Sequence, residues 1–211
     1  MCFSKEVSAT TFLLGMAGSL YIYFGMGSPT DKIIGAFLAY ISLMQGIEYL
    51  LWDHQLCDSY HKAISYSGMW LSHMQPVVLG VLMLIFGNPE YRNWIWAIIA
   101  GYTAVIVPYS LQYDNVGDMR CSVPRAENPH LVWNWGNMPY CNIVYIIFLA
   151  AFVALFMLGM KKNGAWLAGI SVATFLISNA LYPRESMGAI WCFFAAFVPM
   201  GYILLKYRGF A

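Results

Sequence analysis

Gln45, Glu48 and Trp52 recur at i, i+3 and i+7 in MQGIEYLLWDH, residues 44 to 54, inside an otherwise apolar stretch. On a helix this spacing sets all three side chains on one face. A carboxylate at mid-membrane costs at least ~2.5 kcal/mol on insertion scales, so Glu48 is expected to face the protein interior and find a partner there. The other readily titratable side chain deep in an apolar stretch is His73, in LSHMQPVVLG. By helical rise Glu48 lies ~7 Å below Asp53 and His73 ~16 Å below Lys62. Two long side chains or one water can bridge the difference in depth.

Three chemistries are open to this pair. The first is structural, with the carboxylate satisfied by Trp52 or Tyr66 and the imidazole by a carbonyl, both joining helices. The second is a proton or solute site, in which either group changes charge near neutrality. The third is a metal centre to which Cys192, Gln45 or Gln75 adds a ligand. No HxxxH, HExxH or CxxC spacing accompanies it.

The elements that must position these residues are membrane helices. Of 211 residues 60% are hydrophobic and 10% charged, against about 25% charged in soluble domains. Crossing the hydrocarbon core takes ~20 mostly apolar residues, and the uncharged intervals predict seven such helices. They run over about 7–26, 33–53, 63–87, 93–113, 138–159, 164–183 and 187–207, with Glu48 the one charge that interrupts the interval 33–52 of the second. The first is longer than a signal-peptide core and has no small-residue cleavage motif after it. An external stretch, 114–137, holds Pro and Gly residues that argue against a single helix; it is expected to fold over the mouth of the bundle as a lid, with Trp133 and Trp135 as interfacial anchors.

Seven spans put the termini on opposite sides. Lys32, Arg92, Lys161, Lys162, Lys206 and Arg208 crowd the short connections of one side, against five basic residues on the other. The positive-inside rule then makes the N-terminus extracytoplasmic and the C-terminus cytoplasmic. Cys2, Cys57, Cys121 and Cys141 fall on or near the external side. A Cys57–Cys121 bridge between two external loops suits an oxidising compartment, and free buried thiols are the alternative.

Polar side chains within the spans gather toward the external ends: Ser8, Thr10, Thr11, Gln45, Glu48, Trp52, His73, Gln75, Gln112, Asn142, Ser178 and Asn179. The opposite halves, such as VVLGVLMLIF and FLAAFVALFML, are nearly pure hydrocarbon. The asymmetry predicts an outward-facing polar pocket around Gln45, Glu48, Trp52, His73, Gln75 and Asn179, above an apolar floor. Thr11, Gly15 and Ser19, and likewise Gly188, Cys192 and Ala196, are small residues at four-residue spacing that allow close helix contact. Pro76, Pro108 and Pro199 are expected to kink or loosen their helices.

Seven helices do not name a function. Every lysine lies at a terminus or helix end, which excludes a retinal Schiff base, and the DRY and NPxxY patterns of G-protein-coupled receptors are missing. The four scattered histidines do not supply the HxxxH set of alkaline-ceramidase-type hydrolases. FLAYIS at 37–42 echoes WLAGIS at 166–171, the pattern of a parallel-repeat transporter. MCFS at residues 1–4, with Gln45, Glu48 and Trp52 in QGIEYLLW, resembles a group of small polytopic membrane proteins that begin Met-Cys-Phe-Ser and carry Q-x-x-E-x-x-x-W. No established activity comes with that resemblance.

The expectation is thus an all-α, single-domain, seven-transmembrane-helix bundle over residues 1–211. It would bind and translocate a small solute or ion, with proton coupling through Glu48 and His73. A ligand-binding, receptor-like protein and a membrane-embedded metal-dependent enzyme are the alternatives. Expected partners are membrane lipid and a small-molecule or ion ligand, with a homo-oligomer left open. The formal charge of +1 gives no basis for nucleic-acid binding. The sequence names no cofactor.

Overall fold

Helix starts and stops follow local chemistry. In this computed structural model, which describes residues 4–113, 121–124 and 130–209, Ser4 opens α1 (Lys5–Tyr21) by accepting from Val7 N at 3.3 Å. The helix widens into a π-helical turn, Ile22–Met26, and stops at Gly27, whose φ of 77° is accessible to glycine at little cost. Ser28 and Asp31 then form a reciprocal capping box, with Pro29 in the first turn, and start α2 (Pro29–Asp53).

The α1–α2 hairpin is close enough that glycine is obligatory at the crossing. A Cβ on Gly35 would lie 2.6 Å from Tyr23 N and 2.8 Å from the Ser19 carbonyl oxygen, and one on Gly15 would lie 2.5 Å from Ser42 Oγ. Thr11, Gly15 and Ser19 are all buried in this seam. At the other end of the hairpin Lys5 pairs with Asp53.

Asp58 starts α3 (Ser59–His73) by accepting from His61 N at 2.9 Å. Its carboxyl is held below the usual range by that backbone N–H and by His54. The expected span 63–87 is not one helix: α3 ends at His73, α4 (Gln75–Phe86) follows, and the two meet at Met74 with a bend of 50°. Pro76 causes the break, because it lacks an N–H and its ring clashes with the preceding turn. Tyr40 and Tyr102 donate to the Leu71 and His73 carbonyls at 3.0 and 2.7 Å, supplying polar partners beside the break.

A short 3-10 turn, Pro89–Tyr91, leads into α5 (Arg92–Leu111), which runs on through Pro108. After a second 3-10 turn, Asn134–Asn137, come α6 (Cys141–Gly159), α7 (Lys161–Leu181), α8 (Arg184–Ala195) and α9 (Val198–Tyr207). The last pair, parted at Ala196–Phe197 just before Pro199, together covers the expected 187–207 span as one apolar stretch, Arg184–Tyr207. Among the described residues no β-strand occurs.

Six apolar helical stretches are each long enough to cross a membrane: Lys5–Met26, Pro29–Asp53, Pro89–Leu111, Cys141–Gly159, Asn163–Leu181 and Arg184–Tyr207. The bent α3–α4 pair makes up to seven if it is a single span. Leu13, Phe24, Ile85, Trp94, Ile146 and Leu181 point outward from the bundle, as a lipid-facing surface requires and a water-facing one rarely tolerates. Inside, Phe37, Phe148, Phe152, Phe156 and Trp191 pack ring against ring, Phe148 and Phe152 at 4.6 Å. This aromatic core occupies the apolar floor.

Candidate functional site

On α2 the face bearing Gln45 and Glu48 turns fully inward, and both side chains are buried. Thr11 Oγ1 donates to Gln45 Oε1 at 2.7 Å, and Gln45 Nε2 donates to Glu48 Oε2 at 2.8 Å. The amide therefore holds its orientation from both ends. Trp52 is half-buried on the same helix and packs on the apolar core.

His73 closes α3 with its Nδ1 2.7 Å from Ser110 Oγ, and Ser110 Oγ lies 2.7 Å from the Ile106 carbonyl. Ser110 Oγ thus stands between the imidazole and that carbonyl, and the tautomer of the ring sets which of the two its single proton serves. The α3–α4 break sets Gln75 just beyond the ring, with its amide buried beside the Cys192 thiol.

His73 and Gln75 line a cavity of about 20 Å³ together with Tyr109, Tyr145 and Cys192. One water needs ~10–15 Å³ by this measure and two to four polar partners. The imidazole, the Gln75 amide and the Tyr109 hydroxyl, itself buried without a hydrogen bond among the described residues, can supply them. Cys192 on α8 stands beside the Gln75 amide and within electrostatic reach of Glu48.

A roof closes this site from the N-terminal face. Trp133 and Trp135, expected as interfacial anchors, are instead buried at 2% and 1% exposure and stack at 4.8 Å above the cavity. Trp133 lies against Gly188, where a Cβ would come 2.9 Å from the ring. The segment is tied on three sides: Trp133 N donates to the Glu185 carbonyl at 2.8 Å, Asn134 Nδ2 to the Cys121 carbonyl at 2.7 Å, and Ser122 N to Ser65 Oγ at 3.2 Å. Cys57 and Cys121 form a disulfide, Cα atoms 5.7 Å apart, that fastens the roof to the α2–α3 connection. Indole rings can serve at an interface or in a core, and only the fold of the segment decides between them. Residues 114–120 and 125–129 of the expected lid, and Cys2, lie outside the described residues.

Asn179, expected in the pocket, is exposed on α7, as are Thr10, Gln112 and Asn142 on their helices. Its neighbour Ser178 is the one turned inward. Among the described residues no three His, Cys, Asp or Glu side chains gather as a metal would need.

Sequence reasoning passed over Ser110, Tyr109 and Tyr145, which carry no charge or motif to mark them. It also passed over Asp31, assigned to a short connection but buried at 0% exposure against Lys206, Tyr202 and Ser28. The Ser-x-x-Asp pattern of SPTD marks it as a cap residue and says nothing of a partner on the last helix. No known protein family, curated protein or solved structure matches this chain.

Proposed function

We propose that this is a multi-pass membrane protein in which α3 and α4 form one broken span, making seven, with the N-terminus extracytoplasmic and the C-terminus cytoplasmic. It binds and moves a small ion across the membrane, and the proton is the species its interior fits. The supporting observation is that two ionisable groups are buried inside the bundle, the acid Glu48 on α2 and the imidazole His73 on α3, the imidazole lining a cavity with room for one water. Ionisable groups inside membrane bundles are costly and mark ion paths and proton relays. The His73 cavity is far below the ~300 Å³ that an organic ligand takes, and the larger space of about 550 Å³ beside Phe12, Leu13, Leu43 and Leu50 is an apolar groove that includes neither Glu48 nor His73.

In this reading the tryptophan roof shuts the expected outward pocket, and His73 and Glu48 exchange a proton by way of the cavity and the neighbouring polar side chains. The test is flux. Purified protein in liposomes with a trapped pH-sensitive dye should dissipate an imposed proton gradient. Glu48→Gln, which keeps the shape and the Gln45 contact, should slow this at least tenfold. Wild-type protein no faster than empty liposomes would end the proposal.

A further inference from the structure

Leu43, Gly46 and Leu50 fall at i, i+3 and i+7 on α2, on the side roughly opposite Gln45, Glu48 and Trp52 at 100° per residue. This outward side is not flush with its neighbours. It floors an apolar groove of about 550 Å³, with Phe12 and Leu13 of α1 and Leu71 of α3 contributing to its walls. The space exists because Ala9 and Gly46, which also line it, carry almost no side chain. A Cβ on Gly46 would meet only the Phe12 ring, at 3.5 Å. Leu13 and Leu43 are 65% and 39% exposed, so the groove opens sideways, where the hydrocarbon lies if α1 and α2 span a membrane.

Its length decides what can lie in it. On α2 the groove runs from Leu43 to Leu50, ~10 Å by helical rise, within the ~15 Å that one leaflet contributes to the hydrocarbon core. A helix of a second copy crossing the membrane would need a groove the whole way through. An acyl chain needs one leaflet. Contact with hydrocarbon selects nothing by itself, because lipid tails are as apolar as leucine.

The rim can select. Lys5 pairs with Asp53 at the mouth, and its ammonium stands 5.3 Å over the ring of Tyr49, which lines the groove. The two side chains are 41% and 49% exposed, and an exposed pair of this kind is weak enough to open. Lys5 lies four residues above Ala9 and Asp53 three above Leu50, ~5–6 Å by helical rise. A headgroup with one phosphate and one amine would meet an opposite charge for each at that height, the phosphate by charge-assisted hydrogen bonds.

We propose that this groove binds a zwitterionic phospholipid of the leaflet on the N-terminal face, one acyl chain lying against Gly46, the phosphate on Lys5 and the amine on Asp53. The site needs only that α1 and α2 span the membrane, and it stands whether or not Glu48 and His73 carry protons.

The experiment is a lipid titration of purified, delipidated protein by native mass spectrometry. The probes are dioleoyl phosphatidylethanolamine, dioleoyl phosphatidylglycerol, which lacks the amine, and dioleoylglycerol, which lacks both charges. Expected is one tightly held phosphatidylethanolamine per chain, with the other two roughly tenfold weaker. Gly46→Leu fills the groove and should lose the site. Lys5→Gln with Asp53→Asn leaves the groove open and should bring the three lipids level. That paired variant alters exposed side chains alone, so the test survives if Gly46→Leu fails to fold. Equal binding of the three lipids by wild type would overturn the proposal and make the groove ordinary boundary-lipid surface. So would a preference for the anionic lipid, an unchanged preference in the paired variant, or a dimer that Gly46→Leu disperses.

A second measurement needs no variant. Phosphatidylethanolamine carrying a diazirine in its acyl chain, photolysed in vesicles with wild type, should mark peptides bearing Phe12, Leu43 and Leu50 above those bearing Ile146 and Leu181, which are no less exposed on other helices. Even labelling would count against the site.

Discussion

Gln45 shows how one side chain sets the state of another. An amide rotated by half a turn would present its oxygen to Glu48 and repel it. The Thr11 hydroxyl, 2.7 Å from Oε1, selects the productive rotamer. Glu48 was legible in the sequence because a lone acid in an apolar run has to be accounted for. Thr11 was not, since a threonine in a membrane helix commonly bonds its own preceding turn, and here the Val7 carbonyl, at 2.8 Å, competes with Gln45 for the hydroxyl's one proton. At this scale the sharpest steric prediction concerns Gly35. A methyl group there meets backbone atoms that have no rotamer to yield, so Gly35→Ala should destabilise the protein by about 1–3 kcal/mol. It would be read as a lower melting temperature in detergent. Gly101, with nothing within 4 Å of its added Cβ, is the control that should tolerate alanine.

Among the elements, the broken α3–α4 span and the roof matter most. The break at Met74 turns Gln75 into the cavity beside His73, and an unbroken helix would set these two residues about 200° apart on its circumference, at 100° per residue. Pro76 made a kink foreseeable. Its angle and the residue at its vertex depend on the Tyr40 and Tyr102 hydroxyls, which arrive from other helices. The roof depends on a covalent tie. The Cys57–Cys121 loop spans 64 residues, and the chain-entropy estimate for closing a loop of that size is about 4 kcal/mol. Helices held in a bilayer have already lost part of that freedom, so this is an upper bound. Replacing both cysteines with serine should lower the melting temperature and speed amide exchange at Trp133 and Asn134, with little change in the α1–α2 hairpin. Unchanged exchange at those amides would show that the contacts to α3 and α8 hold the roof alone.

For the whole molecule, topology is the open quantity with a direct test. Tags at the two ends should be cleaved by protease from opposite sides of sealed vesicles if the bent α3–α4 pair crosses the membrane. Cleavage from one side would make that pair a re-entrant loop and leave six spans, which would set Cys121 on the face opposite Cys57, at odds with their disulfide.

The sequence by itself determined that the chain is made of apolar helices, and how far along its own helix each polar residue sits. Both properties belong to single segments: a run of uncharged residues long enough to cross the core, and a count of 1.5 Å per residue along it. Only the tertiary structure decided which way each residue faces. In a membrane the outer surface is as apolar as the core, so no polar face marks the side of a helix that packs inward. That is why Asn179 was expected in the pocket and found outside it, and why Trp133 and Trp135 were expected at an interface and found inside. Asp31 and Lys206 lie at opposite ends of the chain and meet for the same reason: their partnership is a property of how α2 packs beside α9, and neither segment carries a sign of the other.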